Sequence, residues 1–278
     1  MERLGLECLS AFGQPPAEFI HAASELGCGH VSLNLSRSAN RLPPHPEFAL
    51  RDDPALRREI SATLIASGVR LSLLEGFALM PDTNPGDMAP LLDIATELGA
   101  QAICAVSLDK DMARTRDRFA ELTELAKERG LLATTEVGAG VLRNLGAAVD
   151  TLRHIASPHF ALLIDTMHFF RSGSTVDDLR ALDPAWIGHV QLCDVPMPAT
   201  IARYMDEALY ECRCPGDGDL PLAQFLAQLP EGVPPGLEVP IRSEAEAGIG
   251  TKERLARCVN AARNLLKNSA REHALTAT

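Results

Sequence analysis

Residues 160–169 read FALLIDTMHF. The run is apolar and of strand length, and it ends in an acid, Asp165. An acid there is costly unless something compensates it. The arrangement recurs nearby. LLATTEVGAG (131–140) carries Glu136, IGHVQLCDVP (187–196) carries Gln191 and PPGLEVPI (234–241) carries Glu238. Each of these residues lies at or near the C-terminal end of its run, and helix-like sequence separates most of the runs. Successive parallel strands of one barrel would bring those ends together.

The same alternation extends along the whole chain. Strands are expected at Leu4–Leu9, His30–Leu35, Arg70–Leu74, Ala102–Ser107, Leu132–Val137, Phe160–Asp165, His189–Cys193 and Gly236–Pro240. Helical spacing of apolar positions predicts helices over Pro16–Leu26, Pro54–Ser67, Asp87–Leu98, Asp111–Arg129, Asn144–Ala156, Thr175–Leu182, Pro221–Gln228 and Glu244–Leu266. Gly27, Gly68, Gly99 and Gly130 each follow a helical run, as left-handed C-caps do. Eight such repeats predict an α/β chain folded as a closed (β/α)8 TIM barrel, in a single domain over 1–268. Residues 269–278 read as a flexible tail. An open doubly wound sheet is the alternative. It would carry a glycine-rich phosphate turn after its first strand, where this chain has SAFGQPPAE.

Three carboxylates and an amide oxygen converging on one point repel one another unless a cation sits between them. The pattern therefore predicts one divalent metal ion held by Glu136, Asp165, Gln191 and Glu238. Oxygen donors suit Mn2+ or Mg2+, with Co2+ a further candidate. His168, three residues after Asp165, falls beside such a site as a general acid or base, or as a residue that orients a ligand. Glu75 and Asn34 end two expected strands and are candidate substrate contacts. The Asn34 side chain would equally suit a turn. Two long loops, Ser36–Arg51 and Val195–Gly218, lie where barrel enzymes carry substrate contacts.

Bulk properties narrow the classes. The chain has 278 residues, 46% hydrophobic and 23% charged, with net charge −11. That charge argues against nucleic acid and anionic membrane surfaces as partners. Seven scattered cysteines, an odd number, point to a reducing, cytoplasmic setting. Cys212 and Cys214 form a lone C-x-C pair, too little for a zinc site. No signal peptide or membrane span is expected.

D-T-x-H-x-x-R-x-G from Asp165 to Gly173, with Glu136 on the strand before, Q-L-x-D at Gln191–Asp194 and L-E-V-P at Leu237–Pro240, resembles the xylose isomerase-like TIM barrel superfamily. GHVQLCD, CRCPGDGDLPL and GLEVP resemble its bacterial sugar phosphate isomerase/epimerase group. Relatives include ketose 3-epimerases, hydroxypyruvate isomerase, inosose dehydratase, 3-dehydroshikimate dehydratase and endonuclease IV. The resemblance implies the same four metal ligands, although many members have His where this chain has Gln191. It also implies that Glu136 and Glu238 form a proton-shuttling pair. Arg213 would clamp a carboxylate or phosphate, and Asp194 would orient a ligand. Arg171 would lie near the substrate or cap a helix, while His189 and Trp186 would be structural.

The expected activity is that of a divalent-metal-dependent isomerase or epimerase acting on a small polyhydroxy ketone through a metal-stabilised enediolate. A dehydratase or lyase of the 3-dehydroshikimate or inosose type is the alternative, because the same enolate can expel a β-hydroxyl. A nuclease would need a His-rich zinc cluster and a basic face, which the sequence lacks. A non-catalytic barrel would keep the ligands without turnover. The partner expected is a small molecule. Related barrels often form dimers or tetramers, so a homo-oligomer stays open.

Overall fold

Eight strands hydrogen-bond in sequence order and close on themselves, all neighbours parallel. They are β1 (Glu2–Leu6), β2 (Cys28–Asn34), β3 (Arg70–Leu79), β4 (Ala102–Ser107), β5 (Leu132–Glu136), β6 (Phe160–Asp165), β7 (Ile187–Leu192) and β8 (Pro235–Leu237). Closure is made by β1 on β8, with Gly5 beside Gly236 and Leu6 beside Leu237. The computed structural model describes residues 2–276. The (β/α)8 TIM barrel expected from the sequence is therefore the fold.

Helices surround the barrel: α1 (Pro16–Glu25), α2 (Pro54–Ser67), α3 (Ala89–Glu97), α4 (Met112–Lys127), α5 (Leu145–Ile155), α6 (Thr166–Arg171), α7 (Val176–Arg180), α8 (Tyr204–Tyr210), α9 (Leu222–Leu226), α10 (Arg242–Glu246) and α11 (Thr251–Thr276). Their starts are chemically marked. Asp53 caps α2 by accepting from the amides of Ala55 and Leu56, and Asp111 caps α4 in the same way. The αβ turns behave as expected: Gly27, Gly68, Gly99 and Gly130 have φ of 75°, 69°, 70° and 71°. Among the described residues, no helix is long and apolar enough to cross a membrane.

The main core lies between the strands and the helices, where Phe19, Ile60, Phe119, Phe169 and Phe225 are fully buried. A smaller cluster of Leu73, Ala102, Cys104 and Leu163, with Leu132 against it, packs separately. Side chains alternate faces along a strand. Leu73 thus shares a face with Glu75, Leu132 with Glu136 and Leu163 with Asp165. This apolar layer lies below the strand ends and supports the polar residues there.

Three departures from expectation affect the site. First, β3 does not stop at Leu74 but runs on to Leu79, with its register to β4 shifting between Leu74 and Phe77. Gly76 sits in that irregularity with φ 104°, and a Cβ there would come 3.0 Å from Asn34 Oδ1. The bulge leaves Glu75 at the mouth although the strand continues. Second, α6 follows β6 directly and α8 forms within the long loop after β7, neither of them expected as a helix. Third, the helix expected over Glu244–Leu266 is broken near Gly248, at φ 86°, into α10 and α11. The backbone of α11 continues through most of the stretch expected as a tail, and residues 277 and 278 lie outside the described residues.

Candidate metal centre

The polar residues meet at the C-terminal mouth of the barrel. Glu136 is the last residue of β5 and Asp165 the last of β6. Gln191 is the penultimate residue of β7, and Glu238 follows β8. Glu7 follows β1 in the same way and is fully buried. Glu75, Glu136, His168, Gln191 and Glu238 all line one cavity of about 500 Å3.

At the mouth the side chains form two groups. Glu136, Asp165 and His168 place candidate ligand atoms within 4.8 Å of one another, and Glu7, Glu75 and Glu238 do the same. His168 Nε2 lies 3.2 Å from Glu136 Oε1, and the His168 amide donates to Asp165 Oδ1 at 2.8 Å. Gln191 belongs to the second group. Its Nε2 lies 3.1 Å from Glu75 Oε1, 3.2 Å from Glu238 Oε1 and 3.4 Å from Glu7 Oε2. The four expected ligands are thus divided, Glu136 and Asp165 beside His168, Gln191 and Glu238 beside Glu75. Each acid leans on the nearest donor.

An amide has two N–H bonds, so three carboxylates around it cannot all be satisfied. Burial, with the charges of Glu7 and Glu136, pushes the Glu75 carboxyl up to about 8. Burial and the surrounding acids Glu75, Asp165, Glu7 and Glu136 push Glu238 up strongly. Glu136 and Asp165 are also raised by burial. Burial pulls the His168 imidazole down, but Glu136 and then Asp165 outweigh that and hold it above its ordinary value. The site carries more negative charge than its own donors can neutralise. A hard divalent cation fits that donor set of carboxylates and an amide oxygen. An imidazole beside them is compatible with zinc as well.

The signs give a testable pH dependence. Carboxylates raised on folding contribute stability that is complete below their ordinary value and is lost as pH rises through the raised one. For Glu75 that window runs from 4.5 to about 8. Metal-free protein is therefore expected to melt at a higher temperature at pH 5 than at pH 8.5. Added Mn2+ should raise the melting temperature more at pH 8.5, because bound cation favours the ionised carboxylates. Equal melting temperatures at both pH values in chelator would contradict this electrostatic picture.

Glu7 behaves differently from the other acids. Burial would raise its carboxyl, but the His189 imidazole, 3.0 Å away through Nε2, outweighs burial, and the carboxyl is lowered. His189, expected to be structural, is the partner that holds Glu7 in place. Gly236 makes the room, since a Cβ there would lie 1.6 Å from Glu7 Oε1. Gly236→Ala should displace Glu7 from His189 and lower the melting temperature by several degrees, on the scale of stranding a buried polar group. A melting temperature unchanged in scanning calorimetry would count against that packing.

The remaining expectations divide. Asn34 lines the cavity and also makes a turn, its Oδ1 accepting from the Ser36 amide at 2.8 Å. Arg213 does not line this cavity. Its backbone bridges Asp194, its Nη1 donates to Asp217 O at 3.1 Å, and it faces a separate depression of about 390 Å3. The family resemblance implied a substrate contact, but with its backbone paired to Asp194 the side chain lies outside this cavity. Asp194 accepts from the amides of Val195, Gly216 and Leu220, so it organises the loop after β7. Arg171 forms a buried pair with Glu207 of α8, Nη2 to Oε1 at 2.9 Å and Nε to Oε2 at 3.1 Å. Trp186 is half-buried beneath the Arg153 guanidinium.

Two residues at the site were not anticipated. Glu7 had a signal, an acid closing the apolar run RLGL, but the first strand was read through to Leu9, which hid its place at a strand end. Tyr204 had none. Its hydroxyl contacts His168 Nδ1, and burial with the charges of Asp165 and Glu136 raises the phenol, so it stays protonated.

Residues 20–257 match the family described as xylose isomerase-like TIM barrel. The chain belongs to that family. Solved structures give the same architecture. The IOLI protein, crystallised with a binding zinc atom, aligns with a TM-score of 0.78 at 16% identity over 96% of this chain and 99% of its own. The probable 3-DHS dehydratase AsbF from Bacillus anthracis aligns at 0.72 and 15%, over 94% and 99%. D-psicose 3-epimerase from Clostridium cellulolyticum, solved with D-tagatose, aligns at 0.70 and 15%, over 95% and 99%. At these identities the likeness of this xylose isomerase-like barrel to each of them is one of fold. No curated protein matches the chain.

Proposed function

We propose that this xylose isomerase-like barrel is a divalent-metal-dependent isomerase or epimerase of a small hydroxy ketone. The observation that carries the reading is the gathering of Glu75, Glu136, His168, Gln191 and Glu238 around one cavity at the mouth of the barrel, with Asp165 beside Glu136 and His168. Glu136, Asp165, Gln191 and Glu238 would hold the ion, most naturally Mn2+ or Mg2+. Gln191 turns its Nε2 toward the acids, which leaves Oε1 as its donor. A bound divalent cation would polarise the substrate carbonyl and offset the charge left when the α-proton departs. The fold neighbours, a zinc-bound barrel and a 3-epimerase among them, are in keeping with this reading.

The chain's own residues supply the proton chemistry. Glu136 ends β5 and Glu238 follows β8, at different places around the mouth, so one can remove a proton from one side of a substrate and the other deliver it. His168, between Glu136 and the Tyr204 hydroxyl, keeps the Glu136 carboxylate oriented. Glu75 lines the same cavity and can hydrogen-bond a substrate hydroxyl.

The test is solvent exchange. Metal-loaded protein is incubated with a panel of hydroxy ketones in D2O, and the α-proton signal is followed by NMR. The reading predicts loss of that signal with Mn2+ or Mg2+, stopped by a chelator. Metal-loaded protein that exchanges no proton in any member of the panel would overturn it.

A further inference from the structure

The cavity above the carboxylates has walls unlike those of a site built for a free sugar. Leu33, Phe48, Phe77, Val106, Met205 and Leu209 line it. Two loops supply much of this surface. The loop after β2 contributes Phe48. In the loop after β7, α8 turns Met205, Ala208 and Leu209 toward the cavity, at the i, i+3 and i+4 spacing that puts side chains on one helix face. Asn40 ties the roof together, its Nδ2 donating to Leu9 O at 2.8 Å and Leu209 O at 3.0 Å.

Several polar groups in the upper wall are engaged locally, although the buried Gln14 Oε1 has no partner among the described residues and could accept from one ligand hydroxyl. Asn34 Oδ1 accepts from Ser36, Ser38 Oγ bonds Asn40 Oδ1 at 2.9 Å, and Gln14 Nε2 reaches Glu18 at 3.4 Å. Arg37 is the one guanidinium among the described residues lining the cavity, and no lysine lines it. Its Nη1 lies 3.1 Å from Glu47 Oε2, and its side chain is 74% exposed. Three carboxylates, Glu75, Glu136 and Glu238, face the same space.

We infer that the cavity takes an uncharged α-hydroxy ketone that carries an apolar substituent, aryl or branched alkyl, on the side away from the carboxylates. The inference deepens the metal-dependent reading above and rests on it for the chelating end of the ligand. A phosphate or carboxylate on the substrate would enter a space already lined by three acids and find no unpaired guanidinium or ammonium. A chain of hydroxyls would lie against Leu, Phe, Val and Met, where each one left without a partner loses affinity. An apolar group gains there instead. The volume, about 500 Å3, is in the range that encloses ligands larger than a four- or five-carbon sugar, roughly 300–1,000 Å3 for drug-sized molecules.

The experiment is calorimetric titration of the Mn2+-loaded full chain with three probes: hydroxyacetone carrying a benzyl group, erythrulose, and erythrulose 4-phosphate. The benzyl probe should bind at least about tenfold more tightly than erythrulose, and the phosphate should bind more weakly than either. Met205→Ser, on the half-exposed roof, should narrow the benzyl preference while metal content stays unchanged. Equal or tighter binding of erythrulose or its phosphate overturns the inference, as does binding of none of the three. The two readings fail separately. A benzyl preference that survives metal removal undiminished keeps the cavity inference and sinks the metal-centred one. Bound metal without the preference does the reverse.

Discussion

Glu136→Gln or Glu238→Gln should each lower the rate of substrate α-proton exchange by about 10^3-fold, within the ~10^2–10^4 that a positioned acid or base supplies. The amide keeps the size and much of the hydrogen bonding of the carboxylate but cannot take a proton. Each variant also removes one negative charge from a crowded site, so the folded protein should survive. It should even gain stability in chelator, because burial and neighbouring acids raise both carboxyls. Reduced exchange together with an unchanged or raised melting temperature in chelator is the expected signature. Exchange at the parental rate in both variants, with metal bound, would exclude the two glutamates as the shuttling pair.

Arg171→Ala should give the largest loss of stability. The Arg171 side chain is 9% exposed and that of Glu207, its partner on α8, 1%. Removing one member of a buried pair leaves an uncompensated charge and costs about 3–5 kcal/mol, which in a chain of this size is a fall in melting temperature of roughly 10 °C. Arg171 Nη2 also donates to Pro196 O at 2.7 Å, so the same change loosens the loop leading into α8. Because α8 carries Tyr204 toward His168 and Met205 and Leu209 toward the cavity, hydrogen exchange should rise there more than in the barrel strands. Calorimetry and amide exchange check both parts. A melting temperature within about 2 °C of the parent would show that the pair contributes little.

The barrel was legible in the sequence because its signals are local. Strand-length apolar runs, and the glycines Gly27, Gly68, Gly99 and Gly130 held at positive φ after helical runs, each depend on a few neighbouring residues. The strand-end acids and Gln191 were legible for the same reason. What escaped depends on contacts far along the chain. α8 has no capping side chain and is anchored by Arg171, 36 residues before Glu207. Glu7 is fixed by His189, 182 residues away, and by the absence of a side chain at Gly236. The reach of Arg213 was misjudged because its direction is set by pairing with Asp194, which the motif around it does not reveal. The division of the expected ligands into two groups likewise follows from where His168 and the Gln191 amide stand.

The central claim is that the strand-end acids hold a single divalent ion. It is tested most directly by elemental analysis of gently purified protein beside the Glu136→Gln, Glu238→Gln double variant, each also after incubation with Mn2+, Mg2+, Co2+ or Zn2+ and desalting. The account predicts about one ion per chain in the parent and little or none in the double variant. A parent chain that retains no ion from any of the four, or a double variant that retains as much as the parent, would contradict it.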